Sequence, residues 1–187
     1  MMLYLKDFMK KVLFVCFMIF LSGCKQEEIG DLPTVSSVDV NRYIGKWFEI
    51  ASLPQVFQAG CNCTQAEYDI NSDGSIKVIN TCKLFAPTGP VSRITGKAVP
   101  EAGSNNAKLK VSFFGNNNPD LASNYWIIEL AEDYSYAVVG DPTFSTLWIL
   151  CRERTMDATQ YQGIIDRMSE LGFETGKVKK QNQIGCE

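Results

Sequence analysis

Eight short apolar runs, separated by turn signals, follow residue 38, and this series restricts most strongly what the chain can fold into. Each run has about the length of an ordinary β-strand, so the series predicts an all-β sandwich or barrel. Eight strands are also the number at which a closed barrel is just wide enough for one small ligand. The runs are Lys46 to Leu53, Thr64 to Ile70, Ile76 to Leu84, Val91 to Val99, Ala107 to Phe114, Asn124 to Leu130, Ser135 to Gly140 and Thr146 to Arg152.

A tight turn and a single helix complete this outline. Asn71-Ser72-Asp73-Gly74 suits a type I turn with Gly74 in the left-handed region, which joins the second and third runs as a hairpin. After the last run, a single apolar stripe at helical spacing predicts a helix that packs outside the sheet. Asp157 or Thr159 can cap its start, and Gly172 can end it. The stripe consists of Tyr161, Ile164, Ile165, Met168 and Leu171.

Motifs at the two ends of the strand series resemble the signature of the lipocalin family. Gly45-Lys46-Trp47 opens the first run, and Arg152 closes the last. Glu132-Asp133-Tyr134 stands where the family has Thr-Asp-Tyr, so two of three positions match. The resemblance covers roughly Val38 to Cys186 and extends to the bacterial outer-membrane lipocalins and to apolipoprotein D.

The resemblance implies an all-β fold: an eight-stranded antiparallel up-and-down β-barrel with one C-terminal α-helix packed outside. It also implies that Trp47 closes the narrow end of the barrel and that the Arg152 guanidinium lies across its ring, in a cation–π contact. Gly45, Asp133 and Tyr134 would belong to the same structural base.

Strand alternation and the resemblance together predict the side chains that face the interior. If Arg152 points into the barrel, Leu150 and Trp148 do so too, and the position of Trp148 lines the ligand pocket in the family. Tyr68 and Tyr125 also occupy pocket positions of family members. An inward aromatic residue is more often plain core, but this set has the composition of a small-molecule site. The full expected set is Phe57 over the mouth, then Tyr68, Val111, Phe113, Tyr125, Ile127, Ala137, Val139 and Trp148.

The seven cysteines fit an exported protein. The resemblance implies a Cys63–Cys186 disulfide. Cys61 and Cys82 lie on neighbouring strands and are expected to pair next, although the hairpin register leaves Cys63–Cys82 open. Cys151, facing outward and under the helix, is then the expected free thiol.

The N-terminus is predicted to be a processing signal. Lys10-Lys11 precede an apolar run from Val12 to Leu21, which is too short to span a bilayer. Leu21-Ser22-Gly23-Cys24 resembles the bacterial lipobox, so Cys24 is the expected lipidation site. The alternative is an ordinary secreted protein in which Cys24 is incidental. The expected organisation is therefore a signal peptide over 1–23, a lipidated cysteine with a flexible tether over 24–37, and the barrel over 38–187.

Composition argues against catalysis by common means and against nucleic acid as a partner. The sequence has no histidine, which removes histidine-based triads, histidine-ligated zinc and haem with a proximal histidine. The net charge of −3 comes without a basic cluster. Glu49 and Glu129 are expected to point into the lower barrel and to balance the charge of Arg152. We expect no metal, no cofactor and no enzyme activity.

The sequence thus predicts a lipid-anchored lipocalin of the bacterial outer membrane that binds, stores or transports a small hydrophobic ligand, such as a fatty acid or lysophospholipid. Which membrane face carries it stays open, as does a homodimer. One alternative is a lipid-modifying enzyme on the same scaffold, which would use a cysteine inside the barrel. Another is an adhesive surface lipoprotein, which would have a filled interior.

Overall fold

Antiparallel strands dominate the structure, a computed structural model that describes residues 32–115 and 122–186. The expected signal peptide and Cys24 lie outside these residues. Within them, a short helix α1 (Val40–Tyr43) precedes the strands and a longer helix α2 (Ala158–Glu170) follows the eighth. The strands are β1 (Gly45–Ser52), β2 (Cys61–Ile70), β3 (Ile76–Leu84), β4 (Val91–Pro100), β5 (Lys108–Phe113), β6 (Tyr125–Leu130), β7 (Tyr136–Gly140), β8 (Leu147–Cys151) and β9 (Lys179–Lys180).

The first eight strands form a closed up-and-down barrel. Each strand pairs antiparallel with the next along the chain, and β1 pairs with both β2 and β8, which closes the ring. The predicted fold class is therefore confirmed. No helix within 32–115 and 122–186 is both long and apolar enough to cross a membrane.

Alternating strand direction gives the barrel two different ends. α1 and the connections at 71–75, 101–107 and 131–135 lie at one end, which we call the closed end. The connections at 53–60, 85–90, 114–124 and 141–146 lie at the other, which we call the open end. Gly74 adopts a φ of +78° in the turn between β2 and β3, as the turn sequence predicts.

Two apolar clusters lie on opposite faces of the sheet, because successive strand residues point to opposite sides. The interior cluster includes Trp47, Ile127 and Val139. The outer cluster joins the outward faces of several strands to Ile164 and Met168 of α2. The helix therefore packs outside the barrel, as predicted.

The ends of α2 also match the sequence prediction. The Asp157 side chain accepts hydrogen bonds from the backbone N–H groups of Thr159 and Gln160, which otherwise lack partners at a helix start. Gly172, just after the helix, has a φ of +102°.

Register shifts in β1, β2 and β6 change the inward and outward alternation; the shift in β2 lies between Asn62 and Gln65. In β1 the register shifts between Glu49 and Ala51, and in β6 it shifts between Ile127 and Glu129. The extra residue in β6 places Ile128 and Glu129 consecutively outward. The expectation that Glu129 points into the barrel is therefore wrong: it pairs with Arg167 of α2 at 2.5 Å.

The C-terminal tail completes the wall of the barrel where β1 and β2 separate. Direct pairing of these strands ends at Phe48 and Gln65. Beyond that point β9 pairs with the end of β1, and the Gln183 side-chain amide donates to the carbonyls of Glu49 and Thr64. The sequence does not predict this ninth strand.

The N-terminal segment also packs onto the barrel. Leu32 is buried in the outer cluster, and the Val35 backbone N–H donates to the carbonyl of Ile127. Packing thus begins before Val38, the expected start of the domain.

Candidate functional site

The closed end is sealed by Trp47 and Arg152. The Arg152 guanidinium carbon lies 3.7 Å from the centroid of the fully buried Trp47 ring, an arrangement of cation–π type. The same guanidinium donates to the carbonyls of Lys46 at 2.8 Å and Arg42 at 2.7 Å. The Trp47 indole N–H donates to the Tyr43 carbonyl at 2.8 Å. Together with hydrogen bonds to the carbonyls of Tyr43 and Tyr134, Arg152 makes four hydrogen bonds to backbone carbonyls of the floor.

The other motif residues support this floor. Gly45 has a φ of +92°, a conformation in which a side chain would be strained, and a Cβ there would lie 3.5 Å from Arg152 Nη1. The Tyr134 hydroxyl accepts from the backbone N–H of Asp39, and its ring lies under the guanidinium of Arg42. Asp133 accepts from the backbone N–H of Ser135, and hydrogen bonding by the Ser135 side chain and backbone lowers the pKa of its carboxyl.

Three tyrosine hydroxyls meet above the floor. Tyr125 Oη lies 2.8 Å from Tyr43 Oη and 2.9 Å from Tyr68 Oη. Burial raises the pKa of Tyr68 to about 12, and it raises the pKa values of Tyr43 and Tyr125 as well. The three side chains are therefore neutral and form a small polar cluster among the apolar side chains of the lower interior. Sequence reasoning assigned no role to Tyr43, because only the closed fold brings α1 beneath the strands.

The walls contain the side chains that the sequence places inside. Tyr68, Ile127, Ala137 and Val139 are buried in the interior cluster. Val111, Phe113, Tyr125 and Trp148 pack against it and stay partly exposed. Phe57 is different: it lies in the open-end loop and is 73% exposed, outside the interior cluster.

A buried carboxylate network lies in the upper half of the barrel. Glu49 is 5% exposed, and it accepts from Ser52 Oγ at 2.7 Å and from Gln58 Nε2 at 2.7 Å. Gln58, in a 3-10 turn at the open end, also accepts from Trp148 Nε1 at 3.2 Å. Burial raises the pKa of the Glu49 carboxyl, while these two hydrogen bonds oppose the rise. Glu49 therefore does not balance Arg152, which is satisfied at the floor.

The open end has an apolar rim. Of the eight large apolar side chains that the described residues expose, six lie in or beside the connections of this end. Isolated exposed apolar residues are normal, and it is their concentration at one end of the barrel that distinguishes these six. We call these residues the apolar rim: Val56, Phe57, Phe85, Val91, Phe114 and Ile184.

Disulfides tie the region near the rim together. The structure joins Cys61 to Cys82 and Cys63 to Cys186, so the alternative Cys63–Cys82 pairing is not formed. The second bridge fixes the tail that carries Gln183. Cys151 is a buried free thiol in the outer cluster, and burial raises its pKa. No described cysteine therefore presents a free thiol to the barrel interior.

The described residues contain no group of three side chains able to hold a metal ion. The barrel interior is instead lined mainly by apolar side chains, with three neutral hydroxyls near the closed end and one carboxylate nearer the open end. Such a site has the chemistry to bind a small amphiphile: apolar walls for a chain and few polar groups to orient it.

Comparisons with known proteins agree with the architecture. A family model for the lipocalin-like domain matches residues 38–183. The outer membrane lipoprotein Blc of Vibrio cholerae is 34% identical over 171 residues, 91% of this chain and 96% of that protein. Bovine apolipoprotein D is 33% identical over 162 residues, 82% of each chain. Insecticyanin from the tobacco hornworm superposes with a TM-score of 0.63 at 18% identity, covering 81% of this chain and 84% of that one, which supports the fold alone.

Proposed function

Because this chain belongs to the lipocalin family, we propose that it binds a small hydrophobic ligand inside the barrel and stores or carries it at a bacterial envelope. The ligand class we propose is a lipid with a single acyl chain, of the fatty-acid or lysophospholipid type. The interior residues Trp148, Phe113 and Val139 would contact that chain.

The sealed floor beneath an apolar interior is the observation that carries this proposal. Trp47 and Arg152 pack across the closed end, so an acyl chain between the apolar walls would be shielded from water there. Each buried methylene group contributes about 0.8 kcal/mol, and a long chain therefore gives ample affinity without many polar contacts.

The envelope part of the proposal rests on the N-terminal sequence and on the apolar rim. Cys24 is the proposed lipid attachment site, and the relative from Vibrio cholerae is named an outer membrane lipoprotein. A rim of exposed apolar side chains around the mouth suits contact with a lipid surface, from which a ligand could enter the barrel without crossing water. Lys83 and Arg93, on outward positions of the neighbouring strand ends, would favour an anionic surface.

Native mass spectrometry of the protein purified from its own host tests the proposal. We expect a bound species whose mass matches a single-chain lipid. A second measurement adds a lipid brominated along its acyl chain, which quenches nearby tryptophan fluorescence. Trp126→Phe, which removes an outer-face indole stacked on Lys108, should leave the quenching in place. Trp148→Phe should reduce it. Absence of both a bound lipid and quenching would refute the proposed function.

A further inference from the structure

Glu49 is a buried carboxylate in the upper half of the barrel, away from Arg152, which lies at the floor. Trp47, two residues before Glu49 on β1, belongs to the interior cluster, and so does Leu150, the cross-strand partner of Glu49 on β8. Glu49 therefore lies on the inward face of β1. The polar side chains that contact it come from Ser52 and Gln58, and neither carries a charge. No described cation forms an ion pair with it, so its charge is not neutralised from within the protein.

The strands place their cations on the outer face instead. β3 and β4 pair without a register shift, so alternation from the inward residues Val78 and Ala98 puts every lysine and arginine of these strands outward. Lys46 beside Trp47, and the two lysines of β5 on either side of Leu109, are outward by the same alternation. Arg152 is the inward cation among the described residues, and it is engaged at the floor. Residues 116–121 contain no lysine or arginine.

The Glu49 carboxylate can accept further hydrogen bonds from a ligand. An ionised carboxylate has about four acceptor sites, and the two donors from Ser52 and Gln58 occupy two of them. Both donors favour the ionised form, which accepts hydrogen bonds and donates none. Burial raises the pKa of this carboxyl, and at a pH above that value it offers a group at the mouth a negatively charged acceptor, in a setting where charges are weakly screened.

We infer that Glu49 is a head-group subsite that selects lipids carrying a hydrogen-bond donor, either a hydroxyl or an ammonium group, and that disfavours carboxylate head groups. This inference rests on the proposed function and narrows its ligand class. An acyl chain occupies the apolar walls below, and the donor group binds the Glu49 carboxylate near Gln58. A fatty-acid carboxylate in the same position would face a like charge without a cation to offset it.

Calorimetry with three matched sixteen-carbon amphiphiles tests the inference at pH 8, below their micelle concentrations. The probes are monopalmitoylglycerol, which offers hydroxyls, hexadecylammonium, which offers a cation, and palmitate. We expect either donor-bearing probe to bind at least about tenfold more tightly than palmitate, since like charges at close range in a protein interior repel by more than the equivalent free energy. The order of the first two identifies the preferred donor.

Glu49→Gln supplies the decisive variant, because it keeps the size of the side chain and removes its charge. We expect palmitate to bind this variant about tenfold more tightly than the unaltered protein, and hexadecylammonium more weakly. Glu129→Gln, which removes a carboxylate from the outer face, should change neither affinity. The ranking of the three probes in the unaltered protein needs no variant and stands even if Glu49→Gln fails to fold.

The possible outcomes distinguish failure of the Glu49 head-group subsite from failure of lipid binding itself. If palmitate binds as well as the donor-bearing probes, or if Glu49→Gln leaves the ranking unchanged, the head-group inference is wrong and the proposed function stands. If none of the three probes binds, the proposed function itself is wrong.

Discussion

Replacing Arg152 by methionine should destabilise the protein strongly, because one side chain holds several parts of the closed end together. Its guanidinium donates to the carbonyls of Lys46, Arg42 and Tyr43 at 2.8, 2.7 and 3.1 Å. It also lies 3.7 Å from the Trp47 ring centroid. Hydrogen bonds from a charged donor contribute about 1.5–3 kcal/mol each, and a cation–π contact about 0.5–2 kcal/mol. Since these terms overlap, we expect a loss of about 3–5 kcal/mol in the free energy of unfolding.

Urea unfolding followed by circular dichroism measures this loss, and Arg154→Met provides a matched control. Arg154 also lies over an aromatic ring, 4.5 Å from the Phe48 centroid, but its guanidinium donates to a side chain, Gln183 Oε1 at 3.3 Å, and not to the carbonyls of the floor. Its replacement should cost about 1–2 kcal/mol, since it removes one long hydrogen bond and one aromatic contact. A double-mutant cycle with Trp47→Leu isolates the contact between indole and guanidinium, for which we expect about 1 kcal/mol or more of coupling.

Equal costs for the two arginines would refute the reasoning. Such a result would mean that the floor is held by apolar packing of Trp47 alone, and that the guanidinium is an accessory. A coupling energy near zero in the cycle would show the same for the stacked contact by itself.

The remaining predictions concern the tail, the buried carboxylate and the rim. Replacing Cys63 and Cys186 by serine opens a loop of 123 residues and should lower the free energy of unfolding in urea by about 5 kcal/mol. Replacing Cys61 and Cys82 opens a loop of 21 residues and should lower it by about 3 kcal/mol. Equal losses would contradict the loop-closure argument. Burial raises the pKa of the Glu49 carboxyl in the folded state above its value in the unfolded state. The stabilising contribution of Glu49 is therefore fully present at a pH below the unfolded-state pKa, and it is lost as the pH rises through the folded-state pKa. Glu49→Gln should therefore gain stability relative to the unaltered protein by up to about 1.4 kcal/mol per pH unit within that window, and a pH-independent difference would argue against it. The double variant Phe85→Ser, Phe114→Ser should bind anionic vesicles more weakly in flotation assays, whereas Val99→Ser at the closed end should bind them as the unaltered protein does. Equal effects of the two variants would show that the apolar rim does not contact the lipid surface.

The sequence suffices for the strands, the helix and the floor because each has a local signal. Alternating runs place the strands, and the apolar stripe with Asp157 before it places α2. The Trp47–Arg152 contact is implied by the resemblance of Gly45-Lys46-Trp47 and Arg152 to the lipocalin signature, and the structure contains it.

What the sequence could not supply depends on partners distant along the chain. The bulge in β6 requires knowledge of its register against β7, and without it alternation puts Glu129 on the wrong face. β9 consists of two lysines, which carry no apolar pattern, and it pairs with β1 because the tail beyond it is fixed by a disulfide and by Gln183.

The carboxylate network shows a further limit of the same kind. Glu49 was expected to balance Arg152, since both were assigned to the lower barrel. In the structure the bulge in β1 brings Ser52 onto the inward face, and the open-end loop brings Gln58 above the carboxylate. Only the folded chain shows that two neutral donors, and not a cation, satisfy this group.

Contacts between a bound acyl chain and methyl groups of adjacent residues test the central claim most directly. Val139 lies in the interior cluster and Val138 in the outer one, although they are neighbours on β7, and Ile127 and Ile128 form a second such pair on β6. With monopalmitoylglycerol bound, we predict nuclear Overhauser effects from the chain methylenes to the methyl groups of Val139 and Ile127, and none to those of Val138 and Ile128. Effects confined to the outer pair, or none from a saturating ligand, would contradict an apolar cup inside the barrel.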